Sequence, residues 1–249
     1  MMVFKLIFWI VVAIATPILI YFIGSKSKLL KIGLQVVLLG AIFVLGFMLY
    51  ESIMEPIHFE KKKIKRERAA VYELMQIRKA QIAYKKENGK YTPSFDSLIN
   101  FVMYDSLTEI KRSGEIPDSL FLQNNNVRAK AEKQALEMGL IRRDTVKVGT
   151  RDSLFKDYNI EDLGKVPFTE SGQKFELDTI TKEFGGININ LFQAHVYYEN
   201  LFEGLNKDLI ENLKDNAERN DKFLGFKVGS LKENNNNSGN WSKELELKK

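Results

Sequence analysis

Residues 32–50 read IGLQVVLLGAIFVLGFMLY, and residues 51–87 continue as ESIMEPIHFEKKKIKRERAAVYELMQIRKAQIAYKKE. The first stretch carries no charged side chain. A helix of that length spans a hydrocarbon core of about 30 Å. The second stretch is highly charged, yet Ile64, Val71, Met75 and Ile82 recur along it at spacings of 7, 4 and 7. Leu74 and Ile77 widen that stripe. Asn88-Gly89 is the kind of pair that stops a helix. Together the two stretches predict a helix that leaves a membrane and becomes amphipathic. Pro56 is the expected place for a kink.

Toward the N-terminus lies a second uncharged apolar run, Leu6 to Ser25. It exceeds the apolar core of a signal peptide, and another run follows almost at once. Residues 1–50 are therefore expected to form a two-helix transmembrane hairpin, with spans at about 6–25 and 32–50. The connecting loop carries Lys26, Lys28 and Lys31. Neither span has an ionisable residue in its middle, which argues against an ion-coupled transporter.

Beyond Gly89, Thr92 or Ser94 can cap a short helix through Phe95, Leu98, Ile99 and Val102. Residues 105–126 show little periodicity and end in Asn124-Asn125-Asn126. Val127 to Met138 reads as a helix closed by Gly139. Strand texture begins after Leu140, with candidates at Thr145–Val148 and Val166–Thr169. Phe175, Leu177 and Thr179 alternate with acids, and Gly185-Gly186 is a hairpin turn. On the returning strand Ile187, Ile189 and Leu191 alternate, then the pattern slips to Phe192, Ala194, Val196 and Tyr198. That slip predicts a β-bulge near Leu191–Phe192. Asn206 should cap a helix over Lys207–Arg219, Phe223–Leu231 resumes strand, and Asn234–Gly239 is a polar loop. The fold class is a membrane α+β protein: transmembrane hairpin, long amphipathic helix, and a C-terminal mixed domain with an antiparallel β-hairpin. The expected divisions are 1–50, 51–104, 105–233 and a 234–249 tail.

The 249 residues include no cysteine and only two histidines, His58 and His195. Disulfides, thiolate sites and cysteine nucleophiles are excluded, and histidine metal centres nearly so. No paired carboxylates, Ser-His-Asp set or phosphate loop stands out, so no catalytic, cofactor or metal residues are assigned. The net charge of +5 is modest and sits near the membrane. No recognition helix or aromatic-basic module points to nucleic acid. Lys61, Lys62, Lys63, Lys65, Arg66 and Arg68 are candidates for lipid head-group contact, alongside the alternative of a solvated helix face with i,i+4 pairs. No small-molecule substrate is evident.

The text Ile77-Arg78-Lys79-Ala80-Gln81-Ile82-Ala83-Tyr84-Lys85-Lys86-Glu87-Asn88-Gly89-Lys90-Tyr91-Thr92-Pro93 resembles the end of the N-terminal helix of a type IV pilin or type II secretion pseudopilin. There an apolar helix leaves the membrane and ends in an Asn-Gly-x-Tyr-Pro element. Pro56 also lies where pilin helices often carry a proline. The likeness covers residues 33–102 and departs in two ways. Leu38 stands where a prepilin carries glutamate, and an extra span precedes the helix. The resemblance implies a bacterial inner-membrane protein with its soluble part in the periplasm. The residues leave sidedness open: Lys5 and the Lys61–Arg68 run favour a cytoplasmic tail, while Glu51, Glu55 and Glu60 and the purely basic short loop favour the reverse.

The expected role is a non-enzymatic structural or interaction subunit of a cell-envelope complex, secretion- or pilus-related, that meets lipids and either its own copies or other inner-membrane proteins. A membrane-anchored enzyme and a lipid-surface binding module are the alternatives. The stripe cannot be buried by one helix alone. The expected interaction residues are Ile53, Ile57, Ile64, Val71 and Met75: Val71 and Met75 should be covered by the domain or a partner helix, and Ile53, Ile57 and Ile64 by another chain along residues 53–68.

Overall fold

The computed structural model describes residue 21 and residues 28–246. The expected first span, about 6–25, lies outside the described residues. The second span and the amphipathic stretch form one helix, α1, Lys28–Asn88. Nothing in the sequence stops it earlier. Pro56 lies inside it and removes only the N–H that would reach Ser52. Gly89 ends it at φ +76°, and its N–H donates to the Lys85 carbonyl at 2.8 Å. A left-handed residue just past a helix is where glycine escapes the Cβ penalty.

The chain divides into two compact units, residues 1–61 and 62–249. The second is α+β. After the Gly89 turn comes α2, Phe95–Tyr104, whose Ser94 side chain accepts from the Ser97 N–H. Next, β1 (Ser106–Gly114) pairs antiparallel with β2 (Ile141–Gly149). Between them lie α3 (Asp118–Gln123) and α4 (Arg128–Glu137). These helices close a small core of Leu120, Ala131, Ala135 and Ile141. A short helix α5, Thr150–Leu154, and a 3₁₀ turn at Ile160–Asp162 lead to the main sheet.

That sheet has the order β3-β4-β5, all antiparallel. Its strands are β3 (Glu176–Phe184), β4 (Ile187–Tyr197) and β5 (Gly225–Gly229). Helices α6 (Tyr198–Leu201) and α7 (Lys207–Arg219) separate β4 from β5, and Asn206 caps α7 through the Leu209 N–H. A last turn, α8, covers Lys243–Glu246.

Three expectations are corrected. Residues 105–126 hold a strand, β1, and the helix α3. Only Leu107 in that strand is buried, so no alternation marks it in the sequence. Val166–Thr169 is a turn: Pro167 supplies no N–H, Phe168 sits at φ +61°, and only Lys165 and Lys174 make a bridge. No bulge interrupts β4, whose register runs unbroken from Ile187–Phe184 to His195–Glu176. Leu191, Phe192, Ala194, His195 and Val196 are all buried, so this central strand is covered on both faces. A strand buried on both sides loses its alternation without changing register.

The stripe of α1 in the second unit is Ala70, Val71, Leu74, Ile77, Ala80 and Gln81, all fully buried. Ile82, expected on that stripe, is 47% exposed. Gln81 occupies its place because its amide has a use in the core. Its Nε2 donates to the Thr92 carbonyl at 2.6 Å, and its Oε1 accepts from the Thr92 N–H at 3.2 Å. The side chain thus pairs with the backbone as a neighbouring strand would, and it holds the Gly89–Pro93 turn against the helix.

Candidate interaction surfaces

Within the first unit, the apolar side chains of α1 point outward on every side. Val37 is 68% exposed, Phe43 77% and Leu49 64%. Among the described residues one helix is long and apolar enough to cross a membrane, and this is the stretch that makes it so. An all-round apolar helix requires an apolar surrounding.

The expected interaction residues fall into different environments. Ile53 and Ile57 are exposed. Ile64 and Met75 are half-buried, and Val71 is buried completely. Val71 therefore belongs to the core of the second unit.

The basic run is also divided. Lys61, Lys62, Lys65 and Arg68 are exposed, whereas Lys63 and Arg66 are half-buried. The Lys65 ammonium lies 4.7 Å from the centre of the Phe168 ring. Arg66 uses Nη1 to donate to the Leu201 carbonyl at 3.0 Å and the Glu203 carbonyl at 2.7 Å. Burial lowers its pKa, while the Glu203 and Glu170 carboxylates act to raise it. Leu201 is the last residue of α6, where carbonyls lack intrahelical donors. Lys79 does the same for Leu154 at the end of α5, and lies over the Phe155 ring. Lys86 donates to the Thr108 carbonyl at 2.8 Å. Glu87 accepts from the Thr108 N–H and hydroxyl, and these bonds lower its pKa. The basic residues lie on the helix, but no local pattern distinguishes those that cap other elements.

The helix-ending turn forms one wall of a cleft of about 340 Å³. Tyr84, Lys90 and Thr92 line that side, and Thr179, Thr181 and Asn190 line the other. Tyr91 is buried against Phe192, with ring centres 4.7 Å apart, and its hydroxyl is within 3.1 Å of the Asn237 amide nitrogen, which donates to it. Asn190 donates to the Gly89 carbonyl at 3.1 Å. The Asn-Gly-x-Tyr-x-Pro text therefore acts as a clamp joining the helix end to β4.

Two polar pairs are candidates for chemistry. Tyr158 donates to the Glu73 carboxylate on α1. Burial pushes Glu73 up to about 7, despite the opposing hydrogen bond from Tyr158. Burial and the Glu73 bond likewise raise the phenol of Tyr158. The rings of Tyr72 and Phe155 flank Tyr158 at 6.2 and 6.0 Å. On the sheet, buried His195 directs Nε2 to the Glu176 carboxylate at 3.1 Å, while its buried Nδ1 has no hydrogen-bond partner. Tyr197 and Phe223 meet the imidazole edge-on. Among the described residues no group of three His, Asp or Glu side chains could hold a metal ion.

No family model, no curated protein and no solved structure matches this chain.

Proposed function

We propose that the protein is a membrane-anchored interaction subunit of a cell-envelope assembly, with its α+β unit carried on the helix that anchors it. One observation carries this reading. α1 is a single helix that begins as an all-round apolar, exposed segment and ends as the buried spine of a folded unit. Such a helix supplies an address. The exposed Ile53 and Ile57 then provide a lateral contact for another chain near the membrane surface, and the resemblance to pilin helices supports a role in packing helices side by side. That resemblance also favours a periplasmic α+β unit, which a C-terminal reporter fusion tests directly.

The chain has no natural cysteine, so single cysteines report contacts cleanly. The protein should remain in the membrane fraction after carbonate washing, because burial of apolar surface is not screened by salt. Ile53→Cys and Ile57→Cys should then crosslink efficiently in native membranes, and Lys62→Cys should not. Release by carbonate would overturn the anchor. Equal crosslinking at all three positions, or none at any, would overturn the contact.

A further inference from the structure

The two edges of the main sheet are treated differently. Beside β5, Gly239 bridges Val228, the Gly229 N–H donates to the Ser238 carbonyl, and Asn240 exchanges hydrogen bonds with Lys227. The chain's own residues 238–240 thus cover that edge. The other edge is β3, nine residues long, with β4 as its one neighbour among the described residues. Natural sheets rarely leave an edge of that length as a bare row of backbone donors and acceptors.

The geometry of the hairpin fixes which groups face outward. Gly185 and Gly186 sit at φ +59° and +84°, a two-residue turn closed by Phe184 and Ile187. The closing pair of such a turn exchanges both backbone bonds. With the register unbroken, Glu176, Asp178, Ile180, Lys182 and Phe184 direct their backbone groups to β4. Leu177, Thr179, Thr181 and Glu183 turn theirs to the open edge.

We infer that β3 pairs with β3 of a second copy, antiparallel about a two-fold axis at Ile180, making one continuous sheet of the two. The side chains of β3 are self-complementary about that residue. Asp178 stands opposite Lys182 of the second copy, and the axis repeats the pair. Thr179 stands opposite Thr181, and the two Ile180 side chains meet at the centre. Opposite charges and Thr–Thr pairs placed directly across strands are stabilising. Moving the axis to a neighbouring residue sets Asp178 against Ile180 or Phe184 instead. Asp178 and Ile180 are exposed, so the surface is available. A closed two-fold contact also uses up the edge and prevents open-ended stacking. This pairing is independent of the contact at Ile53 and Ile57, and each can fail without the other.

The test uses the full chain in intact cells. Across the axis the two Ile180 Cα atoms form a non-hydrogen-bonded pair about 4.5 Å apart, within disulfide reach. Ile180→Cys should give a covalent species of twice the chain mass on treatment with a membrane-permeant oxidant. Ile187→Cys, 67% exposed at the hairpin tip but far from its own symmetry mate, should stay monomeric. Adding Asp178→Lys to Ile180→Cys should cut the dimer by roughly fivefold or more, since it places like charges opposite one another twice. Adding Lys182→Asp as well should restore it. Crosslinking at Ile180 no better than at Ile187, an adduct of any other mass, or a dimer indifferent to Asp178→Lys would each overturn the pairing.

Discussion

The two stretches of α1 draw on similar apolar residues and meet opposite fates. In residues 32–57, Val37, Phe43, Leu49 and Ile53 project to different sides, and all are exposed. In residues 70–81, apolar residues keep to one side, and Val71, Leu74 and Ile77 are fully buried. The difference lies in what covers each stretch. The second is buried within the folded unit, where Phe101 of α2 meets Tyr84 and Thr92 pairs with Gln81, so it needs an apolar face and a polar back. The first has no protein cover among the described residues, and its composition is uniform because its expected surrounding is uniform. One helix can therefore satisfy two solvents, provided its periodicity changes where the solvent does.

The largest effect expected tests which face of the second stretch is inner. Val71→Asp places a carboxylate in a fully buried site, and an uncompensated buried charge costs about 3–5 kcal/mol. Ile82→Asp, on a side chain 47% exposed, should stay within about 0.5 kcal/mol of the parent. Thermal unfolding of the detergent-solubilised chain, followed by circular dichroism, distinguishes them. Equal midpoints would break the assignment of the two faces.

How much of this contrast the sequence showed depends on the type of signal. The helix, its stop at Asn88-Gly89, the Ser94 and Asn206 caps and the Gly185-Gly186 turn were legible, because each rests on a local rule of backbone geometry. Ile82 was misplaced because an apolar residue at plausible spacing counts as core until packing is seen. Gln81 gives no such signal, because a buried amide is recognisable only by the backbone groups it serves, here those of Thr92, eleven residues away. The strand β1 gave no signal because its ribbon is wetted on both faces. The division of the basic run was illegible for a similar reason: the carbonyls that Arg66 serves, at Leu201 and Glu203, are more than 130 residues distant.

That division gives a medium-sized effect. Arg66→Met keeps the apolar stem but removes the charged donor from the end of α6. A hydrogen bond to a charged group contributes about 1.5–3 kcal/mol, and partial exposure puts the expected loss near the lower end. Lys62→Ala should change stability by less than about 0.5 kcal/mol. If both substitutions were silent, the carbonyl capping by Arg66 would carry no weight, and the basic run would be uniform after all.

The remaining effect is confined to one pH window and comes from Glu73, a half-buried carboxylate of the second stretch. Glu73 is held at about 7 by burial, above the ordinary carboxylate value of 4.5. Below about pH 4.5 it is protonated whether the chain is folded or unfolded, so it adds no pH dependence there. Between that value and about 7 the folded state retains a proton that the unfolded state has released, and stability falls as the pH rises. Above about 7 both states are ionised and the full penalty of a desolvated carboxylate remains. Glu73→Gln keeps an oxygen to accept from Tyr158 but cannot ionise. It should therefore raise the unfolding midpoint at pH 8 and leave it nearly unchanged at pH 4, with the gain developing across the window between. A gain of equal size at both ends would show that packing, not charge, sets the cost. A loss at pH 8 would show that the Tyr158 bond to an ionised Glu73 outweighs its desolvation, and the second stretch would then tolerate a buried charge as readily as its exposed flank does.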